Sequence, residues 1–186
     1  MSKPIKYGLF LFVLLAIVAS LLTFVNSITA PLINERQLEK VKVYLVKLDS
    51  ESEFKEITKD YELPDGITGI YGGYDGDTLV TVVYNTTTVG YSSGDIKVLT
   101  AIDVETNTII NTIVTVADKQ TADIGDRILT HDFQTAGKDV ADYADIVPAE
   151  LKSPDFNIIS GATISSRGFL SGVQIAANHF VENFGE

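Results

Sequence analysis

The sequence predicts an α+β protein: a single N-terminal transmembrane helix, then one extracytoplasmic domain with a mainly antiparallel sheet and flanking helices. Three observations carry this expectation. An uncharged run rich in Leu, Val, Phe and Ala extends from Tyr7 to Val25. Three stretches rich in Val, Ile and Thr, Leu79–Tyr84, Ile96–Val104 and Thr108–Ala117, alternate in part between apolar and polar residues, as half-buried strands do. From Ser166 to Phe184, apolar residues recur three and four apart, which is helical spacing.

At about 1.5 Å per residue, the run Tyr7–Val25 reaches roughly 30 Å, the thickness of a hydrocarbon core. Lys3, Lys6 and the amino terminus precede it, whereas Glu35, Arg36, Glu39 and Lys40 beyond it nearly balance. The excess of positive charge at the start puts the N-terminus in the cytoplasm and the bulk of the chain outside. A cleaved signal peptide is the alternative, with Val18-Ala19-Ser20 as a weak cleavage site; the run is longer than a usual signal core, and Pro31 follows Ala30. Pro31 suits a break or the first turn of a new helix. Leu38, Val41, Leu45 and Leu48 then fall on one face of an amphipathic helix from about Asn34 to Leu48, packed on the outer domain or on a partner subunit.

From Asp49 to Asp65 the chain is polar and acidic and reads as a solvated connection with some local helix. Gly66, Gly69, Gly72, Gly73 and Gly76 punctuate the short apolar pieces that follow, and Glu105-Thr106-Asn107 suits a hairpin turn. The expected organisation is a cytoplasmic tip and membrane helix over 1–30, a juxtamembrane helix and connection over 31–65, and a globular domain over 66–186.

The totals exclude several functions. A chain of 186 residues has room for one domain of roughly 150 residues and a segment outside it. With no cysteine there are no disulfides, thiolate metal sites or iron–sulfur clusters. His131 and His179 are the only imidazoles, too few for a histidine-rich metal or haem site. A formal charge of −11 makes nucleic acid and anionic lipid surfaces poor partners. Asp139, Asp142 and Asp145 recur every third residue, but without the spacing of a calcium loop, and read as a solvated helical face or turn. His131 and Asp132 have no serine partner in a hydrolase setting. The sequence therefore nominates no catalytic residue and no metal ligand.

The most distinctive stretch is Ser160-Gly161-Ala162-Thr163-Ile164-Ser165, entered from the apolar pair Ile158-Ile159 and followed by the C-terminal helix. It reads as a strand end, a tight turn and a helix N-terminus. Ser165 or Ser166 would cap that helix, and the unpaired N–H groups of its first turn suit a phosphate. Phe169, Val173, Ala176, Ala177, Phe180 and Phe184 share the face that would meet the core. Arg167 either neutralises a phosphate at Thr163 or is a solvated first-turn residue; His179 reads as exposed or hydrogen-bonded.

This stretch resembles the S/T-G-A-T-x-S/T motif of the FMN-binding domain family, found in the G subunit of Rnf electron-transport complexes and the C subunit of the sodium-pumping NADH:quinone reductase. The resemblance implies that Thr163 carries covalent FMN through a phosphoester made by a dedicated flavin transferase, with Ser160, Gly161, Ala162, Ile164 and Ser165 around it. Asn157 stands where the family usually has Asp. Asn26–Ile33 resembles the family's membrane exit, and Gly90–Ile96 its entry to a central strand. Asp118–Ile128 is similar to the family's loop beside the flavin, matching at Thr121, Gly125, Asp126 and Ile128. Backbone and hydroxyl groups around Thr121 to Gly125 are thereby candidates for holding the ring; a strand-ending turn is the plainer reading of that loop.

The function implied is an electron-transfer subunit of a membrane-bound, Rnf-like, ion-translocating complex, with the other membrane subunits and the flavin transferase as partners. The short length suits the G-type subunit better. A stand-alone extracytoplasmic flavoprotein carrier and a cofactor-free anchored binding module are the alternatives.

Overall fold

The computed structural model describes residues 3–48, 50, 52–152 and 155–185, with the backbone alone described at 3–6, 9, 25–40 and 155. The chain divides into two compact units, 1–41 and 42–186.

The first unit lies on helix α1, Lys3–Leu48, which continues into the second. The break expected at Pro31 is not there: the proline removes one N–H donor and crowds one carbonyl, and the helix absorbs this without ending. The two helices anticipated on either side are thus one element. Every described side chain from Phe10 to Phe24 is exposed. Ser20 Oγ donates to the Ala16 carbonyl at 2.7 Å and Thr23 Oγ1 to that of Ala19 at 2.9 Å, so both hydroxyls are satisfied within the helix. Among the described residues no helix is long and apolar enough to cross a membrane. The expected span also takes in Leu9 and Val25, whose side chains lie outside the described residues.

The second unit is built on a five-stranded antiparallel meander in the order β1-β2-β3-β4-β5. Its strands are β1 Glu53–Glu56, β2 Ile67–Asp75, β3 Thr78–Val89, β4 Asp95–Asp103 and β5 Ile109–Ala117. The expected solvated connection therefore contains an edge strand. Its sequence, Glu-Phe-Lys-Glu, is too short and too charged to show alternation, and charge on an edge strand discourages pairing with other chains. The hairpin expected at Glu105–Asn107 is present: Asp103 Oδ1 accepts from Thr106 N at 2.8 Å, and Asn107 takes a φ of 54°.

Strand alternation divides the sheet between two faces. Ile70, Val82, Tyr84, Val98 and Ile102 belong to the main core, together with Phe169, Leu170, Val173 and Phe180 of helix α3, Thr163–Asn183. Tyr71, Val83, Leu99 and Ala101 occupy the alternate positions and are buried outside that cluster, as are Leu45 and Leu48. A single-turn helix, α2 at Ala141–Ala144, packs on α3.

Glycine sets how closely α3 approaches the sheet. A Cβ at Gly168 would lie 2.7 Å from Ile96 Cδ1 and 3.0 Å from the Val89 carbonyl oxygen; one at Gly172 would lie 2.8 Å from Thr86 Oγ1. The contact is tied by Thr88 Oγ1, which donates to the Gly168 carbonyl at 2.7 Å. His179, on the buried side of α3, bridges Tyr84 Oη at 3.1 Å and the Glu62 carbonyl at 3.1 Å.

Candidate functional site

The helix α3 begins at Thr163, three residues earlier than a serine cap would put it, and its N-cap is Ala162 with no side-chain cap bond. The expected caps serve other purposes. Ser165 and Ser166 lie inside the first turn with their side chains buried; Ser165 Oγ donates to Gln120 Oε1 at 2.7 Å, and Ser166 Oγ accepts from the Ile159 N–H at 3.2 Å. Ile158 and Ile159 are buried in the core without joining the sheet. Gly161 takes a φ of +82°, which turns the chain into the helix. Since a helix leaves its first N–H groups without intrahelical acceptors, those of Thr163, Ile164 and Ser165 are available at this end.

Three segments meet there. The first is the short 3-10 turn Tyr91–Ser93 before β4; the second is the loop after β5, running from Asp118 into the 3-10 turn Gly125–Leu129; the third is the start of α3. A Cβ at Gly94 would overlap the Asp118 carbonyl oxygen, so the first two segments touch backbone to backbone and only glycine allows it. In the second, the Thr121 carbonyl accepts from the N–H groups of Ile124, Gly125 and Asp126 at 3.2, 2.7 and 3.2 Å, which folds the loop tightly. A Cβ at Gly125 would lie 2.9 Å from Ser165 Oγ, so this glycine lets the loop close on α3.

Gln120 connects all three. Its Oε1 accepts from Ser165 Oγ at 2.7 Å and from the Tyr91 N–H at 3.1 Å, while its Nε2 donates to the carbonyls of Asp118 at 2.7 Å and Tyr91 at 3.4 Å. Gln120 is half-buried, and its amide oxygen meets donors while its nitrogen meets acceptors at all four contacts.

The result is a cavity of about 410 Å³ lined by Tyr91, Thr121, Ile124, Gly125, Gly161, Ala162, Thr163, Ile164 and Ser165. Seven of the eight residues nominated from the sequence line it; Ser160 does not, being exposed in the preceding turn. The volume falls in the range of roughly 300–1,000 Å³ usual for small-molecule sites. Tyr91, Ile124 and Ile164 are 47, 45 and 53% exposed, which gives the mouth an apolar rim. Thr163 is half-buried on the lining.

Sequence reasoning missed Gln120, Tyr91 and the side chain of Ile124. Tyr91 and Ile124 carried a signal only as large apolar residues beside glycines. Gln120 carried none, because its partner Ser165 is 45 positions away. Arg167 gives both Nε and Nη2 to the Leu151 carbonyl, at 2.9 and 2.6 Å. Asn157 also lies off the lining, with Nδ2 donating to the Asp132 carbonyl. Asp139 is exposed, and its Oδ1 accepts from the Ala141 N–H at 2.9 Å in the turn that leads into α2. Among the described residues, no group of three His, Asp or Glu side chains is placed to hold a metal ion.

Residues 90–178 match the family described as FMN-binding domain. Over 92% of this chain and 88% of the other, the sequence is 27% identical to the G subunit of the Na(+)-translocating ferredoxin:NAD(+) oxidoreductase complex of Acetobacterium woodii. The resemblance to the FMN-binding domain and to a G-type subunit, read above from Ser160–Ser165, is therefore shown.

Proposed function

We propose that this chain, with an FMN-binding domain resemblance over residues 90–178, is the electron-carrying flavoprotein subunit of a membrane-bound Rnf-like complex. In this reading FMN is held covalently through a phosphoester to Thr163. The observation that carries it is the convergence of Thr121, Gly125 and Gly161–Ser165 on one cavity at the start of α3. The relative's name, a subunit of a sodium-translocating oxidoreductase complex, supports the assignment to a complex.

The residues present fit such a group. The glycines at 125 and 161 open the cavity where a Cβ would meet Ser165 Oγ or demand a left-handed side-chain-bearing residue. Backbone N–H groups of the first turn of α3 are suited to phosphate oxygens, beside the Thr163 hydroxyl. The exposed faces of Tyr91, Ile124 and Ile164 supply apolar surface for a planar ring and keep water from it. FMN supplies the redox chemistry by taking up and releasing electrons; the protein supplies position and polarity. No acid–base pair is required of this chain, because a flavin transferase would perform the chemistry of attachment. Thr163 is then an attachment point.

We assign residues 1–30 to a cytoplasmic tip and a single membrane-spanning segment, 31–65 to the juxtamembrane helix and connection, and 66–186 to the extracytoplasmic domain. Support for the span comes from the exposure of every described side chain from Phe10 to Phe24 and from hydroxyls at Ser20 and Thr23 that bond within the helix, as lipid demands. A covalent link keeps a flavin that faces the outside from being lost by dissociation. Coupling of electron transfer to ion movement is a property of the assembled complex.

The test is a peptide mass. Trypsin cuts after Lys152 and Arg167 and releases Ser153–Arg167 with the whole motif. From the native host this peptide should gain FMN less water, localised to Thr163, and Thr163→Ala should abolish the gain. An unmodified peptide from a host that makes the transferase would overturn the covalent assignment.

A further inference from the structure

We infer that Ser165 is a hydrogen-bond acceptor toward the bound flavin and receives one of its O–H or N–H groups, so that neither the phosphate nor a ring carbonyl lies at this hydroxyl. The inference rests on the flavin reading of the cavity and adds an orientation to it.

The orientation of the Gln120 amide is fixed by its surroundings. Oε1 faces two donors, the Tyr91 N–H at 3.1 Å and Ser165 Oγ at 2.7 Å. Nε2 faces two carbonyl oxygens, of Asp118 at 2.7 Å and of Tyr91 at 3.4 Å. Exchanging O and N would set an N–H₂ against a backbone N–H and an oxygen against two carbonyls, costing the three bonds to backbone groups; only the Ser165 contact, whose hydroxyl can accept as well as donate, would survive. With Oε1 in place, Ser165 must be the donor in its bond to Gln120. A serine hydroxyl has one proton and two lone pairs; the proton is committed, so only lone pairs remain for a ligand.

Those lone pairs adjoin the cavity. Ser165 lines it while only 2% exposed, and Gly125 keeps that side open, because a Cβ there would lie 2.9 Å from Ser165 Oγ. A phosphate oxygen or ring carbonyl brought to this position would meet a lone pair without an intervening hydrogen. A flavin offers donors of two kinds, the hydroxyls of its ribityl chain and the N–H of its ring imide. Both satisfy Ser165. Gln120 is thereby a positioning residue that sets the polarity of Ser165 without itself lining the cavity.

The experiment uses the full-length chain in detergent, produced without the transferase, and measures binding of FMN, riboflavin, lumiflavin and 3-methyllumiflavin by quenching of flavin fluorescence. Ser165→Ala should weaken FMN and riboflavin equally, by roughly two- to tenfold, the worth of one hydrogen bond. If the ring imide is the donor, lumiflavin loses the same factor and 3-methyllumiflavin loses nothing. If a ribityl hydroxyl is the donor, both ring-only ligands are unaffected by the substitution. A change in the FMN-to-riboflavin ratio in Ser165→Ala would put the phosphate at Ser165 and overturn the inference, as would unchanged binding of all four ligands. Failure of the unsubstituted chain to bind any flavin would overturn the inference, and an unmodified Ser153–Arg167 peptide from the native host would reject the flavin reading with it, whereas the preceding outcomes reject the inference alone.

Discussion

Asn157 Nδ2 donates to the carbonyl oxygen of Asp132 at 2.6 Å, and the Asn157 carbonyl in turn accepts from His131 Nε2 at 2.8 Å. These bonds join the turn before α3 to the segment after the Gly125–Leu129 turn. Asn157 and its neighbour Phe156 take φ values of 55° and 47°, a region that asparagine tolerates better than most residues. The side chain that departs from the family pattern is thus a clamp between two segments of the domain.

Asn157→Asp should therefore lower stability at neutral pH by about 1–3 kcal/mol, since an ionised carboxylate has no proton to donate and would face a carbonyl oxygen. The charged form is the disfavoured one, so the substituted carboxyl would titrate above its usual value when folded. The penalty should be present above that value and fade as the pH falls and the carboxyl regains a proton. Asn157→Ala should lose stability at both pH values. Thermal unfolding at pH 4 and pH 7 distinguishes them; an equal loss by Asn157→Asp at both would show that the bond is not the cause.

Gly168→Ala and Gly172→Ala should destabilise the domain although alanine is the better helix former by about 1 kcal/mol. A Cβ at Gly168 would approach a backbone oxygen at 3.0 Å as well as Ile96 Cδ1 at 2.7 Å, and one at Gly172 would meet Thr86 Oγ1 at 2.8 Å and Val98 Cγ2 at 3.1 Å. Relief requires α3 to move off the sheet, at a cost of about 1–3 kcal/mol for overpacking. The midpoint of urea unfolding should fall for both. A gain in stability from either would mean that the helix adjusts freely.

The fold was legible where physical signals are local. The β-branched runs of β3 to β5 and the apolar face of α3 follow from periodicity, and Phe169, Val173 and Phe180 lie in the core where that spacing puts them. β1 was illegible because four charged or half-buried residues cannot show a pattern, and Pro31 misled because a proline does not always end a helix. At the cavity, Gly161–Ser165, the turn and first residues of α3, were legible as a motif. Ser165 and Ser166 were misread as caps because hydroxyls near a helix start serve capping more often than distant partners. The hub at Gln120 depends on contacts between chain positions far apart, which no local pattern encodes.

Stability should fall above about pH 10. Burial pushes the hydroxyl of Tyr84 far above the usual tyrosine range, and burial also raises those of Tyr71, Tyr143 and Tyr61. A group whose folded-state value is raised holds its proton more tightly when folded. Its contribution is complete below the unfolded value near 10 and is lost as the pH rises toward the folded value. Tyr84→Phe should flatten this alkaline slope. It should also cost about 1–3 kcal/mol at neutral pH, because His179 Nδ1 would lose its 3.1 Å partner. Denaturant unfolding at pH 7 and pH 11 checks both effects, and an unaltered slope in Tyr84→Phe would assign the alkaline loss to other groups.

Gly161 tests whether the turn into the cavity depends on conformation or on space. Its φ of +82° is one that side-chain-bearing residues rarely adopt, yet the nearest atom to an added Cβ is Ile124 Cγ2 at 3.9 Å, an ordinary contact. Any loss on substitution should therefore reflect backbone strain alone. Gly161→Ala should cost about 1–2 kcal/mol, Gly161→Asn less because asparagine visits this region more readily, and Gly161→Val more because a β-branched side chain is most restricted there. Urea unfolding of the three should rank them Asn, Ala, Val from most to least stable, all below glycine. Were Gly161→Ala as stable as the native chain, the turn would be relaxing to another conformation, and the direction of the Thr163 hydroxyl two residues later would shift with it.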